Sequence, residues 1–395
     1  MSTPERIVIL DGARTPVGGF GGAFKDVPAH ELGAAAAKAA LARAGVAAED
    51  IGEVVMGCIG QVGPDAYNAR RVALAAGLPV STPAYTVNRL CGSGLQAVWS
   101  AAMQMRWDGG VDFALAGGDE NMSRMPFYDF GARSGYKLGD RTLVDGTVGM
   151  LTDPFHGIHM GVTAENVATK YGVGRAEQDE FAAESQRRAA TDAARAAFAE
   201  EITAVSTGGR KPVTVETDEH PRPGTTVETL AKLRPAFVKD GTVTAGNASG
   251  INDGAGVVVL ARESAAAERG LTGLAVIESV ATAAIEPELM GYAPVPALAK
   301  LFRQTGLTPA DVDVIELNEA FASQAVAVIR DAGLDPEKTN PYGGAIALGH
   351  PVGATGGILT LRVAKDLARR DLELGIVTMC IGGGQALAAL LRRTS

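Results

Sequence analysis

Apolar positions along the chain fall into two alternating patterns. Short continuous apolar runs at residues 7–10, 54–58, 84–90 and 113–116 read as buried strands. Between them lie alanine-rich stretches with helical spacing, at 29–45, at 68–77 and from Cys91 to about Arg106. Gly45 and Gly77 stand where a helix needs a residue free to turn left-handed. Strands alternating with helices predict an α/β sheet with crossover connections.

The texture changes between residues 121 and 247. Residues 124–149 are irregular and mixed in charge, 177–201 predict one amphipathic, charge-laced helix, and 206–240 are polar with prolines at 212, 221, 223 and 235. A structureless stretch this long is unusual inside a compact fold, so it reads as a functional insertion with its own small structure. The last third then repeats the first. Gly45-Val46-x-x-x-Asp50-Ile51-x-x-Val54 returns as Gly306-Leu307-x-x-x-Asp311-Val312-x-x-Ile315. The apolar run 111–118, ending in paired glycines, returns as 375–384, and the glycine-rich turn and helix at Cys91 return at 343–361. Three echoes in one order point to two copies of a single α/β unit. Equivalent turns of the two copies would then face each other.

Composition narrows the class. The 395 residues can supply two or three ordinary domains, and the net charge of −9 disfavours a general nucleic-acid binder. Three cysteines (58, 91 and 380) argue against a disulfide scaffold and for a reducing, cytoplasmic setting. The first residues lack the apolar core of a signal peptide. The longest uncharged run, 375–391, is broken by Gly382-Gly383-Gly384 and reads as strand, turn and strand, not as a membrane span. His156 and His159 stand three apart without a further ligand beyond Asp153, so no metal site is expected.

Candidate chemistry gathers at three glycine-lined turns. Cys91 ends an apolar run and opens a helix, where unpaired N–H groups favour a thiolate. His350 sits among small residues in Gly343-Gly344-Ala345-Ile346-Ala347-Leu348-Gly349-His350-Pro351, also before a helix. Cys380 precedes Gly382-Gly383-Gly384 at the end of an apolar run. Each has a bland reading: buried thiol, turn histidine, small core residue. A histidine can also activate a cysteine, a second cysteine can carry a proton, and the N–H groups of Cys91 and the Gly382 turn can form an oxyanion hole. A rival reading takes Gly92-x-Gly94-x-x-Ala97 as a dinucleotide fingerprint with Asp119 near the place of its acidic partner. It leaves His350 and Cys380 without a role.

Four motifs carry a resemblance: Asn88-Arg89-Leu90-Cys91-Gly92-Ser93-Gly94, Asn318-Glu319-Ala320-Phe321-Ala322, the His350 motif above, and Cys380-Ile381-Gly382-Gly383-Gly384. With them the chain resembles the thiolases, specifically the β-ketothiolases that act as acetyl-CoA acetyltransferases, almost from end to end. The resemblance implies a thiolase-like fold of two duplicated α/β halves in αβαβα layers with an inserted loop domain. It implies an N-terminal half of 1–120 plus about 248–272, a loop domain of 121–247 that binds coenzyme A, and a C-terminal half of 273–395. It implies Cys91 as nucleophile, His350 as its activator, Cys380 as acid and base, Asn318 as holder of a water in one oxyanion hole, and Gly382 with Cys91 as the other. It implies coenzyme A contacts at Leu151, His159, Met160, Arg222, Phe237, Ala248, Ser249, Met290 and Phe321.

The implied reaction is reversible condensation of two acetyl-CoA to acetoacetyl-CoA, or thiolysis of short 3-ketoacyl-CoAs, through an acyl-cysteine. Coenzyme A enters as substrate, with no permanently bound cofactor, and the implied assembly is a homotetramer built as a dimer of dimers. Asp119, Asn121 and Ala386 depart from the usual family pattern, which leaves pocket and interface detail open. Three alternatives stand beside this reading: a degradative thiolase for medium or long chains, an NAD-dependent dehydrogenase, and a non-catalytic acyl-CoA binding protein.

Overall fold

The computed structural model describes residues 5–61, 63–208 and 210–394. In the first half, β1 (Ile7–Arg14) leads to α1 (Ala29–Ala44), β2 (Ile51–Gly57), α2 (Asn68–Ala76), β3 (Ala84–Val87), α3 (Ser93–Trp107) and β4 (Phe113–Asn121). Gly45 and Gly77 close α1 and α2 with left-handed φ of 66° and 91°. The insertion contributes α4 (Met160–Tyr171), α5 (Arg175–Ala189) and α6 (Asp192–Glu201). The chain then returns as β5 (Asn252–Arg262), and the second half follows as β6 (Ala275–Ala284), α7 (Pro294–Thr305), β7 (Val314–Leu317), α8 (Ala322–Asp331), α9 (Thr355–Arg369), β8 (Leu374–Ile381) and β9 (Gln385–Arg393).

The duplication is visible in the strand order β7-β8-β9-β6-β1-β5-β4-β2-β3. In one half β2 and β4 run parallel, and β4-β5-β1 continue antiparallel. In the other β7 and β8 run parallel, and β8-β9-β6 continue antiparallel. The place of β3 is taken by a single parallel bridge, Ile315 to Thr339. Val8 opposite Val276 and Ile9 opposite Ala275 join the halves.

Period-two alternation divides each strand between two layers. Val54 and Met56 pack outward under α1 and α2, whereas Val55 packs inward with Leu95 and Val98 of α3. Ile376 faces outward toward α7 and α8, whereas Val377 and Met379 face inward with Leu361 and Leu367 of α9. Helices α3 and α9 therefore lie between two sheet faces, and the order of layers is αβαβα. Around this frame three of the predicted strands lengthen, whereas the run 84–90 is a strand only over Ala84–Val87 and is half-exposed at the sheet edge. The run at 113–116 continues to Asn121, because Gly117 to Asn121 pair in register with Asp253 to Val257. The single helix expected over 177–201 is two: α5 ends at Ala189, and the Thr191 side chain caps α6 through Ala194 N–H.

A buried ion cluster anchors the insertion to both halves. Glu201 at the end of α6 accepts from Arg14 Nε at 2.7 Å and from Arg362 Nε at 3.0 Å, while Arg14 also grips Asp218 at 2.7 Å. Both guanidinium groups lie over the Phe198 ring. Burial alone would raise the Glu201 carboxyl; Arg362 and Arg14 overcome it and hold it down at about 2.

The starts of α3 and α9 meet where glycine leaves room. A Cβ on Gly356 would lie 2.0 Å from Leu95 N, and one on Gly94 would lie 2.8 Å from Gly353 O. Backbone cannot yield as a flexible side chain does, so Gly356→Ala should destabilise the fold by about 3 kcal/mol or more. Gly109→Ala, with nothing within 4 Å of the added atom, should change it by about 0.5 kcal/mol at most. Denaturant unfolding of the two variants beside the parent checks this contrast. Equal stabilities would show that the helix crossing is not close-packed.

Candidate active site

The turn before α3 is built by its own residues. Ser93 Oγ accepts from Arg89 N–H at 2.9 Å and donates to Leu90 O at 2.6 Å. This holds Leu90 at φ 48°, a left-handed backbone that a branched side chain adopts at a cost of about 1 kcal/mol. Cys91 follows, partly exposed and facing a cavity of about 550 Å³. Gly92 gives way to Ile381, since a Cβ there would lie 2.5 Å from the Ile381 side chain. Together with Gly94 against Gly353, this explains the glycine pattern by packing between the two halves. The dinucleotide reading loses its basis: Asp119 is buried and accepts from Asn68 Nδ2 at 3.1 Å instead of facing a ligand.

The cavity brings Cys91 and His350 together from the two halves. His350 is fixed on three sides. Its N–H donates to Asn252 Oδ1 at 2.9 Å, its Nδ1 lies 2.6 Å from Thr355 Oγ1, and its Nε2 lies 3.4 Å from Asn318 Nδ2. Asn318 hangs from β8 through Thr378 O at 3.0 Å. Its buried Oδ1 has no partner among the described residues. Cys380 is fully buried beside Met160, Met290 and Phe321, just behind the cavity wall. The backbone N–H groups of Gly382 and of Cys91 itself lie near enough to the Cys91 sulfur to favour its thiolate.

Electrostatics corrects one expectation. Burial pushes the Cys91 thiol up to about 11, and the two N–H groups oppose that without cancelling it. The helix start therefore does not ionise Cys91 by itself. Burial also lowers His350 to about 4, so the imidazole is neutral and able to accept a proton. Burial, and then the neighbouring Cys91, push the Cys380 thiol well up.

Every coenzyme A contact expected from the sequence lines this cavity: Leu151, His159, Met160, Arg222, Phe237, Ala248, Ser249, Met290 and Phe321. His159 caps α4 by accepting from Gly161 N–H at 3.0 Å, and its ring stacks on Phe237 at 4.9 Å. His156 turns elsewhere, 2.8 Å from Asp153 Oδ2. Ala248 bridges Phe321, and Ser249 N–H donates to Ala320 O at 3.0 Å, so insertion and second half close the wall together. Arg222 lines the cavity with His220, which the sequence reading did not single out.

Three other residues escaped that reading. Asn252 holds His350 and also donates to Gly18 O at 3.0 Å. Thr355 touches the His350 ring. Glu120 accepts from the N–H groups of Ile59, Gly60 and Gly353, tying the His350 turn to the end of β2. Polar residues at the ends of apolar strands, as at Asp119-Glu120-Asn121 and Asn252-Asp253, were the signal available.

Comparison with known proteins agrees with this fold. The family described as "Thiolase, N-terminal domain" matches residues 7–264, and "Thiolase, C-terminal domain" matches 271–393. Beta-ketothiolase BktB of Cupriavidus necator is 50% identical over 392 residues, covering 98% of this chain and 99% of that protein. An acetyl-CoA acetyltransferase of the same organism is 47% identical, again over 98% and 99%. The crystal structure of the Bacillus anthracis acetyl-CoA acetyltransferase superposes with a TM-score of 0.97 at 41% identity over 100% of both chains. That of human mitochondrial 3-ketoacyl-CoA thiolase in complex with CoA gives 0.95 at 42%, covering 99% of this chain and 98% of that one. The chain belongs to the thiolase family.

Proposed function

We propose that this protein is an acetyl-CoA acetyltransferase that condenses two acetyl-CoA to acetoacetyl-CoA and reverses the reaction by thiolysis. The observation that carries it is the meeting of Cys91 and His350 from the two halves in one cavity, with Asn318 beside the His350 ring and Cys380 buried just behind the wall. His350 Nε2 takes the Cys91 proton, and the thiolate attacks the thioester carbon. The carbon–sulfur bond of acetyl-CoA breaks, Cys380 gives its proton to the departing coenzyme A thiolate, and acetyl-Cys91 remains. Cys380, now a thiolate, takes an α-proton from the second acetyl-CoA. The resulting enolate attacks the acetyl carbon, the carbon–sulfur bond to Cys91 breaks, the Cys91 thiolate takes back the proton held on His350, and acetoacetyl-CoA leaves. Its charge needs donors already in place. The N–H groups of Cys91 and Gly382 supply one set, and His350 with a water on Asn318 supplies the other.

In this reading coenzyme A is substrate and not a resident group. Arg222 at the cavity suits its phosphates, and the apolar wall of Leu151, Phe237 and Met290 suits pantetheine. Residues 1–120 with about 248–272 form the nucleophile half, 121–247 the loop domain, and 273–395 the half carrying Asn318, His350 and Cys380. Phe127, Phe130 and Leu138 are exposed on the irregular segment, and we assign that surface to pairing of dimers into a cytoplasmic homotetramer.

Incubation with acetyl-CoA and peptide mass analysis should find acetyl on Cys91, and Cys91→Ser should abolish both adduct and turnover. Iodoacetamide should label Cys91 first, because Cys58 and Cys380 are buried. An adduct on Cys58, or none, would sink the assignment.

Cys380→Ala should still acetylate Cys91. Condensation and α-proton exchange should fall about a thousandfold, a usual magnitude for a lost acid–base group. Condensation at the parent rate would remove Cys380 from the chemistry.

Met160 is buried in the wall beside Cys380 and limits the acyl space. Acetoacetyl-CoA should be preferred over longer 3-ketoacyl-CoAs. Met160→Ala should shift kcat/KM toward longer chains by about fourfold per methylene accommodated, the equivalent of about 0.8 kcal/mol. A parent enzyme that cleaves medium or long chains best would make it a degradative thiolase instead.

A further inference from the structure

We propose that Thr355 is a positioning residue for the acylation step: its hydroxyl accepts from His350 Nδ1–H, donates to Pro351 O, and so keeps Nε2 bare toward the cavity. The inference rests on the thiolase chemistry proposed above and adds to it the group that selects the histidine tautomer.

The geometry is a short relay. Thr355 Oγ1 lies 2.6 Å from His350 Nδ1 and 3.1 Å from Pro351 O. A carbonyl only accepts, so in this relay the hydroxyl sends its proton to Pro351 O, which the N–H groups of Ala354 and Thr355 also reach at 2.8 and 3.0 Å. The lone pairs of that hydroxyl are then what Nδ1 meets, and Nδ1 carries the ring hydrogen. The opposite nitrogen agrees: Asn318 Nδ2, a donor, faces Nε2 at 3.4 Å. Among the described residues no carboxylate pairs with the ring to choose its tautomer, and burial keeps it neutral. In the other tautomer Nε2 would carry a hydrogen and could not take the Cys91 proton.

Placement makes the relay stiff. Thr355 is the first residue of α9 and is buried, and the backbone after it is pinned by the close approach of Gly356 to Leu95. His350 is held through its own N–H by Asn252 Oδ1. The ring can therefore rotate little without losing Thr355. When Nε2 takes the thiol proton, the imidazolium still donates through Nδ1 to the same oxygen. The partner that sets the resting tautomer also supports the charged form.

Two readouts test this. Stopped acetylation of Cys91 by acetyl-CoA measures the step directly. Nitrogen-15 spectra of ring-labelled histidine report which nitrogen carries hydrogen, and His350→Asn identifies its signals among the five histidines. Thr355→Val keeps the shape and removes the hydroxyl; Thr355→Ser keeps the hydroxyl. Acetylation should slow about ten- to a hundredfold in Thr355→Val, with KM for acetyl-CoA little changed, and return to within about threefold of the parent in Thr355→Ser. The parent spectrum should show hydrogen on Nδ1 of His350.

Hydrogen on Nε2 in the resting parent overturns the proposal, and so does parent-like acetylation of Thr355→Val. Equal slowing of the Val and Ser variants also overturns it, by assigning the effect to packing. If Thr355→Val does not fold, the Ser variant and the parent spectrum still decide. A parent that forms no acetyl-Cys91 would refute the proposed function instead, and the spectrum would still report the tautomer.

Discussion

Everything at the site depends on how closely two helix starts approach each other. Gly94 and Gly356 carry no Cβ, so the backbones of α3 and α9 touch directly in the middle layer. That contact sets the separation of the two halves, and each half ends its helix turn at a reactive side chain. Cys91 comes from one turn and His350 from its duplicate. Gly118 against Gly353 and Gly57 against Ser93 continue the same seam into the sheet. The active site is thus a by-product of pseudo-symmetric packing: a twofold-like contact between helices places unlike residues face to face.

The burial that makes the contact dry also sets the chemistry. It pushes the Cys91 thiol up to about 11 and lowers His350 to about 4. In the resting site both groups are neutral, a state that avoids stranding charge in a low-dielectric pocket. In the proposed reaction, charge is then created only as substrate arrives, by moving one proton from Cys91 to His350. Donors near the sulfur and beside the ring are in place beforehand, so little reorganisation is needed as charge forms.

Much of this was legible in the sequence because it is written locally. Strands and helices announce themselves by period, and the duplication shows in echoes such as Asp50-Ile51 and Asp311-Val312. The three reactive turns were visible because a cysteine or histidine among glycines is unusual. What stayed hidden acts across distance in the chain. Asn252 reaches His350 from 98 positions away, and Glu120 reaches Gly353 from 233. The split between α5 and α6 was masked because Arg187, Arg188 and Asp192 continue a charged helical face across the break, while only Thr191 marks the cap. The ionisation of Cys91 was misjudged for a related reason: a helix start is local, but desolvation is a property of the whole fold.

The Glu201 cluster has a consequence for how substrates come and go. Arg14 belongs to β1 and Arg362 to α9, so one carboxylate fastens the insertion to both halves. Neither guanidinium can leave without exposing unpaired charge in a dry interior, a cost of several kcal/mol. At that point the insertion is fastened to the frame and not hinged on it. Under the proposed function, a long, flexible thioester would enter the cavity reactive end first, with its phosphates left near the opening at Arg222. Entry would then be governed by the ligand's own contortions more than by the protein's. Acyl chains of different length would share one route in, and discrimination would be deferred to the inner end beside Met160.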